Sequence, residues 1–277
     1  MFKEKLKFII FGNEYRKRDI IPCIQRIEQY LGQRHALVEV DPTDLSEADY
    51  AISIGGDGTF LKVARRVGEL QIPIIGINMG RLGFLADVLP SEIEEALDDI
   101  YAGNYFLENH AVIQVETDGE HLTGYPCALN EVAVSKRDTA SMISIRTYIN
   151  DEFLVNYQAD GLIVTTPTGS TAYSLSNGGP VIIPQSRSFC LTPVAPHSLN
   201  MRPIVINDTS VIKLEVESRS HNFLVAMDGR SEKLVGGTQL TIRKAPYSIH
   251  VIKLMNRRYF STLREKLMWG ADERQRK

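Results

Sequence analysis

The chain has 277 residues, of which 43% are hydrophobic and 23% charged, with a net charge of -3 and a pI of about 6.1. This length can supply the cores of two domains, and the charge content is that of a folded protein. The acidic balance argues against a dedicated nucleic-acid binder, which usually carries a basic stripe. The three cysteines lack metal-ligand spacing and no apolar run approaches a membrane span, so we expect a cytoplasmic protein with reduced thiols and no membrane attachment.

The first part of the chain alternates strand and helix patterns at the spacing of βα units. Strands are predicted at 7–11, 51–54 and 72–77, and helices at 19–31, 59–70 and 91–102. Ser91 and Glu94 have the spacing of a capping box for the last helix, and Gly103 is placed to end it. These patterns predict a Rossmann-like α/β domain over residues 1–107.

After Phe106 the pattern changes to strands separated by Gly, Asn and Asp turns. Asn150-Asp151 is typical of a hairpin turn between two of these strands. The strands are predicted at 112–117, 143–149, 153–157, 211–216, 223–227, 240–243 and 249–254. We therefore expect an all-β sandwich domain over residues 108–260, followed by a helix (263–269) and tail over 261–277 that packs back on the first domain.

The strongest motif of the first domain is Gly55-Gly56-Asp57-Gly58-Thr59, which follows a predicted strand and precedes a helix. The backbone N–H groups of Gly55, Gly56 and Gly58 can hold phosphate oxygens. Asp57 is suited to accept a proton from an attacking hydroxyl or to help organise Mg²⁺ on the phosphates. The alternative is a tight turn in which Asp57 caps the helix. The motif is neither a Walker loop nor the dinucleotide fingerprint.

Two further motifs are polar. The block Thr166–Pro180 is dense in hydroxyl residues suited to repeated hydrogen bonds, and Tyr173 offers a ring for stacking on a base. Asn130-Glu131 lies between apolar residues and needs polar partners if buried, such as an adenine edge and a ribose diol. The alternatives are an exposed turn for the block and an outward-facing or bulged pair for Asn130-Glu131.

Two loop segments complete the set: 76–85, with three glycines and an Asn, and 197–203, with His197 and Arg202. The first is typical of a ligand-facing loop and the second could reach phosphates, although each could also be only structural.

Together these segments, in this order between about residues 50 and 230, resemble the NAD kinase family. The Gly-Gly-Asp-Gly loop is shared with related lipid kinases and phosphofructokinases, whereas the Thr166–Pro180 block with Asn130-Glu131 is much more specific. The resemblance implies an N-terminal α/β domain, a C-terminal β-domain, an active site in the cleft between them, and subunits that associate as homodimers or homotetramers. It also implies transfer of the γ-phosphoryl of ATP to the 2′-hydroxyl of the adenosine ribose of NAD, with Mg²⁺ as the expected divalent metal.

The resemblance further implies roles for individual residues. Asp57 would accept the proton of the 2′-hydroxyl, and Gly58 would lie against the same nucleotide. Glu131 would hold the ribose and Asn130 the adenine, while Asp160 and Ala195 would contact the nicotinamide half. The adenine pocket would be formed by Phe84, Thr168, Thr171, Ala172, Tyr173, Ser174, Leu175 and Ser176. Gln158 and Arg230 differ from the residues that are frequent at these positions in the family. These differences bear on the choice of phosphate donor and on the preference for NAD or NADH.

Two other functions stay open from the sequence. A lipid or sugar kinase of the same superfold would need a different acceptor pocket, since fold does not fix function. A non-catalytic NAD sensor would bind the dinucleotide without needing Asp57.

Overall fold

The computed structural model describes residues 5–12, 17–80, 83–119, 122–137, 141–255 and 259–270. The chain divides into two compact units, Met1–Asn109 with Ile249–Lys277, and His110–Ser248. The helices are α1 (Lys17–Gly32), α2 (Asp57–Val67), α3 (Ile93–Ala102), α4 (Tyr173–Ser176) and α5 (Tyr259–Leu267). The strands are β1 (Lys7–Gly12), β2 (Leu37–Val40), β3 (Tyr50–Gly55), β4 (Ile74–Asn78), β5 (Tyr105–Thr117), β6 (Cys127–Ala128), β7 (Glu131–Lys136), β8 (Ile143–Ile149), β9 (Glu152–Ala159), β10 (Gly161–Thr165), β11 (Ser188–Val194), β12 (Ile204–Asn207), β13 (Ile212–Glu217), β14 (Asn222–Met227), β15 (Arg230–Val235) and β16 (Gln239–Leu254). Across these ranges no helix is long and apolar enough to cross a membrane.

The first unit is built on a parallel sheet in the order β2-β1-β3-β4, with the end of β16 parallel to β4 at Val251 and Ile74. Strands β1, β3 and β4 are buried along most of their length, as expected for a parallel sheet with helices on its faces. Their apolar side chains share one core with those of α1 and α3. This confirms the predicted N-terminal α/β domain and places the Gly-Gly-Asp-Gly loop at the carboxyl end of β3, the edge at which such sheets bind ligands.

The start of α3 differs from the prediction. The helix begins at Ile93 after a 3₁₀ turn over Pro90–Glu92, and the Glu92 carboxylate accepts the Leu89 N–H at 2.9 Å. Glu94 pairs instead with Arg26 at 2.9 Å. The predicted Ser91–Glu94 capping box is therefore wrong, because Glu92 rather than Glu94 binds the chain before the helix. Gly103 ends the helix with a φ of 72°, as predicted.

The second unit contains two antiparallel layers. The first part of β16 continues through β13, β8 and β9, and the other layer has the order β12-β11-β10-β7-β14-β15. Apolar side chains from both layers, such as Leu214 and Phe223, form one core. This confirms the predicted β-sandwich. Asn150 and Asp151, with φ of 52° and 67°, form the predicted tight hairpin between β8 and β9.

Strand β16 corrects another prediction. Sixteen residues form one continuous strand, whereas the sequence indicated two strands at 240–243 and 249–254. The intervening residues Lys244–Ser248 have mixed polarity and include Pro246, but they remain extended. The chain passes from the second unit to the first after Ser248, in the middle of this strand. Since no turn or linker marks this point, the sequence does not reveal it. The predicted boundary at residue 260 thus lies beyond the division found in the structure.

Candidate active site

The Asp57 carboxylate lies at the start of α2 but does not cap it. Its Oδ2 accepts the Phe84 N–H at 3.0 Å, and its Oδ1 accepts the N–H groups of Leu85 at 3.0 Å and Ala86 at 3.2 Å. The alternative in which Asp57 only caps its own helix is therefore wrong. Three consecutive backbone donors instead fix this carboxylate at the carboxyl end of the parallel sheet.

The segment that supplies these donors follows β4. The Asn78 side chain shapes it by donating to the Ala86 carbonyl at 3.0 Å and accepting the Gly80 N–H at 2.8 Å. At Gly83 a Cβ atom would lie 2.1 Å from Asp57 Oδ1, so only glycine allows this approach. The glycine-rich segment 76–85 is thus the partner of the Gly-Gly-Asp-Gly loop, although Arg81 and Leu82 lie outside the described residues.

A cation from the other end of the sequence also contacts Asp57. Lys266 of α5 donates to Oδ2 at 2.9 Å, and its ammonium lies 4.5 Å from the centre of the Phe84 ring. Burial alone would raise the pKa of the Asp57 carboxyl, but Lys266 and the N–H groups of Phe84 and Ala86 outweigh it and hold the pKa below its ordinary value. Asp57 is therefore ionised at neutral pH.

A buried ion pair also holds the segment that follows β4. Lys253 of β16 contacts Asp87 at 2.7 Å and donates to the Phe84 carbonyl at 3.1 Å, and both charged side chains are more than nine-tenths buried. Neither Lys253 nor Lys266 is predicted as a site residue, because each is a single lysine far along the chain from its partner.

In the second unit, Asn130-Glu131 begins β7 and is held by Asp228. The Asp228 carboxylate accepts the N–H groups of Leu129 and Asn130 at 2.8 Å and of Glu131 at 3.3 Å. Burial raises the pKa of the Asp228 carboxyl, although these donors oppose the rise. The tight turn after β14 places Asp228 there, with φ of 48° at Asp228 and 79° at Gly229.

The Thr166–Pro180 block folds against Asn130-Glu131. The Thr166 hydroxyl donates to the Leu129 carbonyl at 2.6 Å, and its N–H donates to the Asn130 carbonyl at 2.9 Å. A Cβ atom at Gly169 would lie 2.1 Å from that Asn130 oxygen. The first part of the block is not an exposed turn, because Thr166, Gly169 and Ser170 are buried in this contact.

Several hydroxyls of the block are committed to the fold. Ser170 donates to the Pro167 carbonyl at 2.7 Å, the Ser174 hydroxyl contacts Thr192 at 2.8 Å, and Thr168 contacts His110 Nδ1 at 2.7 Å. By contrast, the Tyr173 ring is 45% exposed. The remaining predicted lining residues continue this surface along the 3₁₀ turn and α4: Thr171, Ala172, Leu175 and Ser176.

Glu131 is the polar group of this unit that stands out. Its Oε2 is buried and has no hydrogen-bond partner among the described residues. Burial, and to a smaller extent the nearby Asp228 carboxylate, raises the pKa of Glu131 from 4.5 to about 7. A hydrogen bond from the Tyr173 N–H lowers this pKa, but its effect is weaker. A buried oxygen without a partner beside an exposed aromatic ring indicates that an external polar group completes this site.

Asp160 and Ala195 lie elsewhere in the unit. Glu131 pairs with Thr165 at one end of β10, whereas Asp160 precedes the other end and bonds Val194 through its N–H at 3.0 Å. The Asp160 carboxylate pairs with Lys136 at 2.7 Å. At 3.3 Å per residue, β10 separates the two groups by roughly 15 Å. The structure therefore does not bring them together, as expected of residues assigned to different halves of a dinucleotide.

The first unit also contains a cavity of about 390 Å³, which Thr59 helps to line. It lies where β1 and β2 end, against α1 and α2, and its polar lining includes Thr59, Lys62 and Arg65. No group of three metal-binding side chains occurs among the residues that the structure describes. Both Asp57 oxygens already accept hydrogen bonds, so these residues do not form a protein cage for Mg²⁺.

Comparison with known proteins agrees with both units. The model of the ATP-NAD kinase N-terminal domain matches residues 12–105, and that of the ATP-NAD kinase C-terminal domain matches residues 129–254. A NAD kinase of Bacteroides fragilis is 54% identical over 97% of this chain and 100% of its own length. The chain belongs to the NAD kinase family. This confirms the resemblance drawn from the sequence and the phosphotransferase that it predicts.

Solved structures of NAD and NADH kinases share the fold. A NAD kinase from Archaeoglobus fulgidus in complex with ATP is 27% identical, with a TM-score of 0.79 over 94% of this chain and 99% of that one. Yeast NADH kinase complexed with NADH has a TM-score of 0.86 over 100% of this chain and 91% of that one, and at 20% identity it shows the fold alone.

Within this NAD kinase family member, one of the two unusual positions, Arg230, has a structural role. Arg230 donates to the carbonyls of Tyr125 at 2.9 Å and Cys127 at 2.7 Å, so its guanidinium holds the segment before β6. The backbone carbonyl of Gln158 accepts the His197 N–H at 2.8 Å, a bond that does not involve the Gln158 side chain.

Proposed function

We propose that this protein is a NAD kinase that transfers the γ-phosphoryl group of ATP to the 2′-hydroxyl of the adenosine ribose of NAD, producing NADP. The observation that carries the proposal is the Asp57 carboxylate, ionised and fixed by three backbone donors beside the glycine loop. An oriented carboxylate next to phosphate-binding amides is what an attacking hydroxyl requires. Family membership supports the choice of NAD as the acceptor.

In the second unit we assign the acceptor's adenosine half to Asn130, Glu131 and the surface around Tyr173. The partnerless Glu131 oxygen suits a ribose hydroxyl, and the exposed Tyr173 ring suits stacking on the adenine. Holding the 3′-hydroxyl would leave the 2′-hydroxyl as the nucleophile, which is how regiospecificity would arise. Asp160 and Ala195 are assigned to the nicotinamide half.

In the first unit we assign the donor phosphates to the amides of Gly55, Gly56 and Gly58. Gly58 and Phe84 are further assigned to contacts with NAD. The cavity lined by Thr59 and Lys62 supports a place for the rest of the nucleotide. Phosphoryl transfer has a loose transition state, so positioning and charge stabilisation dominate catalysis. Asp57 then needs only to orient the hydroxyl and accept its proton late, which suits a carboxylate with a lowered pKa.

A divalent metal, with Mg²⁺ expected, neutralises phosphate charge in such reactions. Since the described residues form no cage for it, the substrate phosphates would hold the ion. Cytoplasmic location and association into homodimers or homotetramers belong to the same proposal.

Family membership argues against the two alternatives that the sequence leaves open, a non-catalytic NAD sensor and a lipid or sugar kinase. The polar surface around Glu131 disfavours an apolar lipid acceptor. A sensor would bind NAD unchanged after Asp57→Asn, because the proposed NAD contacts in the second unit remain.

The test is formation of NADP⁺ from NAD, ATP and Mg²⁺, followed with an NADP-specific dehydrogenase. We expect Asp57→Asn to lower kcat by about 10²–10⁴-fold, because it keeps the shape and removes the proton acceptor. Asp151→Asn, in the exposed β8–β9 turn, is the matched control and should leave turnover unchanged.

Near-wild-type turnover by Asp57→Asn would remove Asp57 from the proposed role. If folded wild type makes no NADP⁺, with polyphosphate and NADH also tried, calorimetric binding of NAD decides between the other two functions. Binding would favour the sensor, and no binding would favour a different acceptor.

A further inference from the structure

The C-terminal helix α5 carries an ammonium group to the carboxylate on which the proposed reaction depends. We propose that Lys266 is a positioning residue for phosphoryl transfer: it fixes the Asp57 carboxylate and neutralises its charge where anionic phosphates must approach. This inference rests on the proposed function and adds a residue to it.

The helix is docked so that Lys266 reaches this position. Tyr259, Leu263 and Lys266 follow one another at i, i+4 and i+7, which places them on one face of α5. On that face Leu263 is buried, and the Tyr259 ring lies against the Phe84 ring at 5.9 Å. The Lys266 ammonium lies over the same Phe84 ring and contacts Asp57 Oδ2 at 2.9 Å. Phe84 thus ties the helix to the segment whose N–H groups hold Asp57.

The charges explain why such a contact is useful. The three backbone donors orient the Asp57 carboxylate but add no net charge. A bare carboxylate beside the glycine loop would repel the phosphates that the loop is built to hold. The Lys266 ammonium offsets this repulsion, and because it acts on the Asp57 charge its contribution should vanish when that charge is removed. The ion pair therefore serves the reaction even if it contributes little to folding.

Exposure separates the two contributions. The side chains of Lys266 and Asp57 are 32% and 29% exposed, and a pair at this level of exposure stabilises a fold only slightly. Removing the ammonium should consequently change turnover much more than the melting temperature.

The experiment uses the full chain in the NADP⁺ assay with three variants. Lys266→Met keeps the stem and removes the charge, Lys266→Arg keeps the charge, and Arg264→Met removes an exposed charge from the same helix as the control. We expect Lys266→Met to lower kcat by at least ~10-fold, because a misplaced catalytic group costs up to about 10²-fold, with KM for NAD within about two-fold. Lys266→Arg should recover most of the loss, and Arg264→Met should match wild type.

A double variant gives the decisive comparison. If Lys266 acts through Asp57, then Lys266→Met in an Asp57→Asn background should lower kcat by less than about two-fold, since coupled residues are not additive. Turnover of Lys266→Met within two-fold of wild type, or an equal loss in Arg264→Met, would overturn the inference. So would an effect confined to KM for ATP, because that would make Lys266 a donor-binding residue only. If both wild type and Lys266→Met are active, the role of Lys266 is rejected and the proposed function stands. If wild type itself is inactive, both are rejected.

Discussion

Replacing Glu131 with Gln should make the protein more stable at pH 8 and remove part of its pH dependence. The Glu131 carboxyl is buried beside Asp228, and its pKa is raised from 4.5 to about 7. Below pH 4.5 the carboxyl is neutral in both folded and unfolded chains. Between pH 4.5 and 7 the unfolded chain loses the proton first, so stability falls as pH rises and stays reduced above pH 7.

The magnitude follows from the pKa. Since one pKa unit corresponds to 1.36 kcal/mol, a rise from 4.5 to about 7 costs the folded state up to about 3 kcal/mol at pH 8. At 2–4 °C per kcal/mol, this lowers Tm by roughly 6–12 °C. Glu131→Gln keeps the shape and is neutral at every pH, so it does not incur this cost.

The assay is calorimetric unfolding of wild type and variant at pH 5.5 and pH 8.0. We expect the gap in Tm between Glu131→Gln and wild type to widen from pH 5.5 to pH 8.0. Glu152→Gln, at the exposed start of β9, is the control and should follow the wild-type curve. If the curves of wild type and Glu131→Gln run parallel between the two pH values, then Glu131 is not a buried carboxyl of raised pKa and the reasoning fails.

Two other predictions follow from close packing and from a buried charge. Gly169→Ala puts a methyl group 2.1 Å from the Asn130 carbonyl, so it should cost about 1–3 kcal/mol and raise KM for NAD, whereas Gly119→Ala, with open space at its Cβ, should do neither. Lys253→Met leaves Asp87 buried without its cation and should cost about 3–5 kcal/mol by denaturant unfolding, while adding Asp87→Leu should recover most of that loss. Equal stability of single and double variants would contradict the ion-pair argument.

The motifs could be predicted from the sequence because each is a short run with its own chemistry. Three glycines around Asp57 indicate a phosphate loop by themselves, and hydroxyl density indicates the Thr166–Pro180 block. Their partners could not be predicted in the same way. Lys266 reaches Asp57 across 209 residues, and Lys253 reaches Asp87 across 166. A single lysine in a charged stretch carries no local sign of such a contact.

The strands likewise include some that can be predicted from the sequence and some that cannot. Buried strands such as β1 and β3 were predicted because their apolar runs reflect burial on both faces. The sequence does not predict strand β2, because it has only four residues and these are largely exposed at the sheet edge although three of them are apolar. The sequence predicts two strands in place of β16 because Lys244–Ser248 resembles a turn in composition. The strand is continuous in the structure, where it pairs with β13 before this segment and with β4 after it.

In the candidate NAD-binding surface, the hydroxyl groups that mark the motif in the sequence have a different use in the structure. The hydroxyl density of the Thr166–Pro180 block predicted contacts to a ligand, yet Thr166 and Ser174 use their hydroxyls inside the protein. These bonds hold the block against Asn130-Glu131 and leave Tyr173 exposed beside a carboxylate oxygen that has no described partner. Folding therefore uses most of the hydroxyls of the block, and the Glu131 oxygen left without a described partner indicates where a ligand binds. Sequence alone cannot separate the two sets, because a hydroxyl that closes a loop and one that contacts a substrate are the same residue type.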